Sequence, residues 1–148
     1  METVRKYARL IFVSVLALGV ALIWYAVFYF ASGQNLRVTF FDVGQGDAIF
    51  IEAPGGNQIL VDGGPDSRIL AKLGRIMPFW DGSLDLLIVT HPHADHLAGL
   101  LDVLKRYDIG MVMTSDVGHG TPEYAEWQAL VKRYSVPVVI ARKGQRID

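Results

Sequence analysis

Cysteine is absent from this chain of 148 residues, which removes disulfides as a stabilising device and thiolate sulfur as a metal ligand. Charge is sparse and balanced, with 14 Lys and Arg against 15 Asp and Glu for a net charge of −1. No broad basic surface therefore argues for nucleic acid by electrostatics alone. Internal repeats and low-complexity tracts are missing too, which sets aside solenoid and disordered-tail readings. Histidine is scarce, at four residues, and that scarcity makes its placement informative.

Three of the four histidines, His91, His93 and His96, fall in VTHPHADHLAGL (residues 89–100), with Asp95 set among them. The preceding LDLLIVT (Leu84 to Thr90) has the length and β-branched end of a buried strand. The following LAGLLDVLKRY repeats leucine at positions 97, 100, 101 and 104, a helical spacing, so a helix is expected from His96. The cluster thus sits on a strand-to-helix turn at the carboxyl end of a strand, where α/β folds collect functional side chains. Pro92 biases His91 toward extended backbone, and alternate residues of an extended segment project to one side, so His91 and His93 can reach one ion. Asp95 and His96 approach the same volume as the chain bends into the helix. Imidazole and carboxylate together suit zinc, and also iron or manganese. A polar surface turn is the plainer reading, but four potential ligands in six residues favour a metal site.

The segment Arg9 to Gly33 contains an uncharged apolar run from Leu10 to Ala31. About 20 helical residues cross the hydrocarbon layer, so the run is long enough to span. Trp24, Tyr25 and Tyr29 gather in its second half as an interfacial aromatic belt, and Arg5, Lys6 and Arg9 precede it. The positive-inside rule then places Met1 in the cytoplasm and the residues after Gly33 outside, in contact with membrane lipid only through the anchor. Ala31-Ser32-Gly33 also fits a signal-peptide cleavage site, but signal cores usually run about 7–15 residues, and an uncleaved anchor is favoured. The last span of a larger channel is a third reading.

Beyond the anchor, LRVTFFDV, DAIFIEAP and QILVDGG read as three strands, with Pro54-Gly55-Gly56-Asn57 as the turn between the second and third. A helix is expected over about Ser67 to Ile76, a strand in IGMVMTS, a helix in TPEYAEWQALVKRY behind a Thr cap, and a strand in VPVVIAR. Trp127, Leu130, Val131 and Tyr134 are expected on the buried face of that last helix. Lys105-Arg106 and Lys132-Arg133 end helices, where positive charge suits the dipole.

HPHADH fits the HxHxDH signature of the metallo-β-lactamase fold, and FFDVGQGDAIFIEAPGGNQILVDGG (residues 40–64) resembles the metallo-β-lactamase-like domain of ComEC-type competence proteins, which take up DNA through the bacterial cell membrane. The resemblance covers about residues 36–148. It implies a mixed α/β (α+β) chain: one transmembrane helix with a cytoplasmic tip in residues 1–35, then the first half of an αββα sandwich in residues 36–148. It implies two divalent ions, zinc before manganese, the first on His91 and His93 and the second on Asp95 and His96. A hydroxide between the ions would be the nucleophile, oriented by Asp95, with DNA phosphodiesters as substrate and other competence or channel components as partners.

Lesser features divide between plain and functional readings. Asp62, at a strand end in LVDGG, matches the aspartate that buttresses the metal loop in this fold, although an Asp-Gly turn explains it locally. Asp42, Gln45 and Asp47 are turn residues of DVGQGD by position, and the resemblance raises them to candidates facing the cleft; Gly44 and Gly46 allow the tight join. His119, in a glycine-flanked loop, has no spacing that ties it to the cluster and is expected to be solvated. The resemblance also implies a later histidine and a bridging aspartate that residues 97–148 do not supply, so the expectation is an N-terminal part of a longer protein. The alternative to a hydrolase is a catalytically incomplete fragment or accessory that only contacts other proteins.

Overall fold

With no proline and a single glycine, the apolar N-terminal run has nothing to break it, and it forms one helix, α1 (Glu2–Ala31). The structure is a computed structural model describing residues 2–31 and 35–147. Residues 1–34 and 35–148 form two separate units. Within α1 the stretch Arg5–Phe28 opens with Arg5, Lys6 and Arg9, is uncharged from Leu10 onward and is unburied, unlike the one-sided apolar stripe of a helix that packs on a soluble core. Its 24 residues extend about 36 Å, enough to cross a hydrocarbon layer of about 30 Å. Ser32 and Gly33 of the cleavage-site reading lie outside the described residues.

The second unit holds β1 (Arg37–Phe40), β2 (Ile49–Glu52), β3 (Gln58–Val61), α2 (Arg68–Ile76), β4 (Ser83–Val89), α3 (Ala94–Arg106), β5 (Asp108–Thr114), α4 (Pro122–Arg133) and β6 (Val138–Ile140). The strands lie in one sheet in chain order. β1 to β3 run antiparallel and β3 to β6 parallel. The Pro54–Asn57 turn closes the β2–β3 hairpin, with Ala53 N donating to Asn57 O at 2.8 Å. Each parallel step needs a crossover, and α2, α3 and α4 supply the three.

Register sorts the side chains into two faces. Phe50, Leu60, Leu87 and Val112 stand in one cross-strand row and are buried with Ile69 and Leu73 of α2, Leu97 and Leu100 of α3, and Trp127 of α4. The next row, Val38, Ile51, Ile59, Leu86 and Met111, points the other way. That face is apolar as well, yet Phe40, Val38 and Met111 on it are exposed. One helical layer on one sheet, with a second apolar face open among the described residues, is the mixed α/β arrangement of half a sandwich.

Two local expectations change. Helix α3 begins at Ala94 with His93 as its N-cap, two residues before His96, so Asp95 and His96 belong to the first turn, where the helix dipole favours a carboxylate. Tyr134 is exposed, whereas Trp127, Leu130 and Val131 are buried. The helical stripe would have reached Tyr134, but α4 ends at Arg133, and the positive φ of Ser135 turns the chain so that Val136 fills the buried place instead.

Candidate metal centre

The ends of β3 and β4 meet through Asp62, which is 2% exposed and sits at φ 55. Left-handed backbone is tolerated by aspartate better than by most side chains. It lets Asp62 N donate to Ile88 O at 2.9 Å while the carboxylate turns inward. There Oδ1 accepts from Thr90 N (2.9 Å), and Oδ2 accepts from Thr90 Oγ1 (2.6 Å) and lies 2.9 Å from His96 Nδ1.

Counting protons constrains the tautomers. An ionised carboxylate only accepts, so the Thr90 hydroxyl proton and the His96 Nδ1 proton both point at Asp62. The Thr90 oxygen, having given its proton away, accepts from His91 Nδ1 at 3.0 Å. With Nδ1 as the donor to these oxygens, each imidazole would offer Nε2 as a lone pair, the arrangement a metal ligand requires. One oxygen or nitrogen each from Asp62, His91 and His96 lies within 4.8 Å of the others. Asp62 is engaged by three hydrogen bonds, so it acts by holding the two rings. Thr90 carries no motif of its own in the sequence; its one local signal is a hydroxyl at the strand end, directly before the histidine motif.

The remaining motif residues gather around this pair. His93, in extended backbone, sets its ring 4.7 Å from that of His91, and the His91 and His96 rings are 3.9 Å apart. Two imidazoles on one tetrahedral ion, with bonds of about 2.0 Å, place their centroids roughly 5 Å apart, a spacing that the His91 and His93 rings match. Asp95 Oδ2 lies 3.8 Å from His96 Nε2. Nitrogen and oxygen donors of one ion stand roughly 3.3 Å apart, so a small closure suffices for this second pair.

The DVGQGD loop reaches the centre from the other side. Asp47 Oδ2 is 4.0 Å from His96 Nδ1, and Asp47 O accepts from Gly64 N at 3.0 Å. Asp42 instead caps its own loop, accepting from Gly44 N at 3.3 Å, and Gln45 is exposed. Gly46, at φ 91, lies so close to the motif that an added Cβ would stand 1.8 Å from the carbonyl oxygen of Asp95. His119 departs from expectation: it is half-buried, with its ring 5.0 Å from that of His93. Sequence spacing gave no sign of this, because the contact joins loops that follow different strands.

Residues 41–146 match the family model described as "Metallo-beta-lactamase superfamily". Among solved structures the chain is similar to one described as "Rm3 metallo-beta-lactamase", at 22% identity and a TM-score of 0.47, over 70% of this chain and 42% of that one. The chain thus spans less than half the length of that structure. No curated protein matches it.

Proposed function

The chain belongs to the metallo-beta-lactamase superfamily, and from that premise we propose that it is a membrane-anchored metallohydrolase of the ComEC competence type that cleaves phosphodiester bonds in DNA. The observation that carries the hydrolase reading is the Asp62–Thr90 network, which presents the Nε2 atoms of His91 and His96 together as lone pairs. The narrower substrate rests on the likeness of DVGQGD and LVDGG to competence proteins. Zinc, or manganese in its place, supplies an acidified water and positive charge for the entering and leaving oxygens when bound there.

The protein's own part is to hold and orient. His91 and His93 would hold one ion, and Asp95 and His96 the other. Asp62 and Thr90 lock the tautomers, and the Gly46 approach keeps Asp47 beside His96. Asp95 is also placed to accept a proton at its carboxylate.

The test is metal-dependent cleavage of labelled DNA by the native protein purified from membranes. His91→Ala should lower the rate at least about 100-fold while leaving the metal-free fold intact, since it removes a ligand and no core contact. The open apolar sheet face favours a second reading, an accessory that contacts other proteins. A native protein that binds metal but cleaves no phosphodiester would end the first reading.

The anchor reading places the N-terminus in the cytoplasm and the domain outside the bacterial cell membrane, because Arg5, Lys6 and Arg9 precede the span. A reporter enzyme active only outside the cytoplasm, fused after Asp148, should give activity. Activity from a cytoplasm-only reporter at the same site would reverse the assignment.

A further inference from the structure

Two large aromatic side chains stand outward on the loop between α2 and β4. Phe79 is 93% and Trp80 70% exposed, with their rings edge to face and 4.7 Å apart. Aromatics of about 150–250 Å² each, exposed to this extent, present on the order of 300 Å² of apolar surface in one place, which distinguishes them from singly scattered residues. The loop is pinned on both sides of the pair. Met77 is buried in the core and its N–H donates to Leu73 O at 2.8 Å, while Asp81 N donates to Pro78 O at 3.0 Å. Asp81 Oδ2 also accepts from Gln58 Nε2 at 2.6 Å, which ties the loop to the first residue of β3.

Strand direction tells which end of the domain this is. β1, β3 and β4 point the same way, so the loop before β4 stands at the end of the sheet where β1 begins. Arg37, the first residue of β1, follows Ala31 of α1 by six positions, a tether that reaches at most about 20 Å. Leu36, on that tether, is 62% exposed. The candidate metal centre is at the opposite end, where Asp62 and His91 follow β3 and β4, and the seven residues of β4 rise about 20 Å between the two ends.

We infer that the 77–82 loop rests on the bilayer that α1 spans, with Phe79 and Trp80 inserted at the level of the lipid headgroups, so that the metal centre is held away from the membrane and open to water. The inference rests on the anchor reading above. Lipid is the occupant because the short tether keeps this end of the sheet beside the membrane surface, where tryptophan is enriched for its apolar ring and polar N–H. Charge at this end is mixed, with Arg75 and Arg106 against Asp81 and Asp108. Burial of the aromatic pair therefore carries the contact, and anionic lipid is not required.

A chain without cysteine allows a label at one chosen position. The full chain carrying Phe79→Cys is labelled with nitrobenzoxadiazole and reconstituted into vesicles of neutral phosphatidylcholine, with Val117→Cys as the control. Val117 is 59% exposed in the loop after β5, at the other end of the sheet. The label at position 79 should be quenched by lipid carrying a nitroxide near its headgroup and shielded from iodide present on both faces of the vesicle; the label at position 117 should show the reverse. Adding Trp80→Ser to the labelled Phe79→Cys chain should lower the ratio of docked to free loop roughly tenfold, as loss of one buried aromatic does. A label at position 79 open to iodide and untouched by the nitroxide lipid, in protein that stays with the vesicles through an alkaline wash, overturns the inference and leaves the anchor standing. A label shielded from iodide yet unquenched by lipid means that protein covers the pair, a second copy included, and also overturns it. Protein that washes off the vesicles overturns the anchor reading and the inference together.

Discussion

Asp62→Asn is expected to weaken metal binding by about 10–100-fold while the domain stays folded, the range found when an outer partner of a metal-binding histidine is lost. The substitution keeps the shape of the side chain but replaces one acceptor oxygen with an amide donor. Thr90 N, Thr90 Oγ1 and His96 Nδ1 all converge on this group, and an amide has a single oxygen to offer them. His96 relieves the clash of donors by moving its proton to Nε2, which removes the lone pair from the metal side. Asp62→Ala goes further and leaves these donors unmatched in a site where Asp62 is 2% exposed. His96 is buried whereas Thr90 is exposed to water, so at about 1–3 kcal/mol for an unsatisfied buried group a loss of roughly 1–3 kcal/mol is expected in metal-free chemical denaturation. Parental metal affinity in Asp62→Asn would show that the tautomers are not set by this carboxylate.

Gly99→Ala should damage the domain severely. Helix α3 lies against the loop that carries Asp62: Gly63 N donates to His96 O at 2.8 Å, and Gly99 N donates to Gly64 O at 3.0 Å. A Cβ at Gly99 would stand 2.0 Å from the carbonyl oxygen of Gly63 and 2.8 Å from that of Asp66. Both are backbone atoms, so no side chain can swing aside and the helix must move away from the loop. The cost of such overpacking is about 3 kcal/mol or more, which exceeds the gain of about 1 kcal/mol that alanine brings to a helix interior. The displacement also pulls His96 from Asp62, so metal affinity should fall with stability. Gly74→Ala is the control, because that helical glycine has nothing within 4 Å of an added Cβ. It should raise stability by about 0.5–1 kcal/mol. If both variants unfold at the same denaturant concentration as the parent, the close approach of α3 to the 62–64 loop is not as described.

Legibility in the sequence followed the range of the interactions involved. The apolar N-terminal helix, the β2–β3 hairpin and the strand–turn–helix around His91 could all be read from residues a few positions apart. Periodicity, turn residues and a proline act within that distance. The end of α4 could not be read in the same way. The leucine and tryptophan stripe runs on to Tyr134 in sequence, but the chain leaves the helix there and Val136 takes the buried site.

At the candidate centre the same division holds. The sequence by itself determined that His91, His93, Asp95 and His96 share one turn after a buried strand, because four ligands in six residues leave the backbone little freedom to separate them. Only the tertiary structure decided which nitrogen each ring offers and what stands beside it. Asp62 reaches Thr90 across 28 residues and His96 across 34, and His119 meets His93 from the loop after the next strand. Those contacts arise from parallel pairing of β3, β4 and β5. A parallel pair needs a helical crossover, which places side chains far apart in sequence at the same end of the sheet, and no local pattern records which of them will meet.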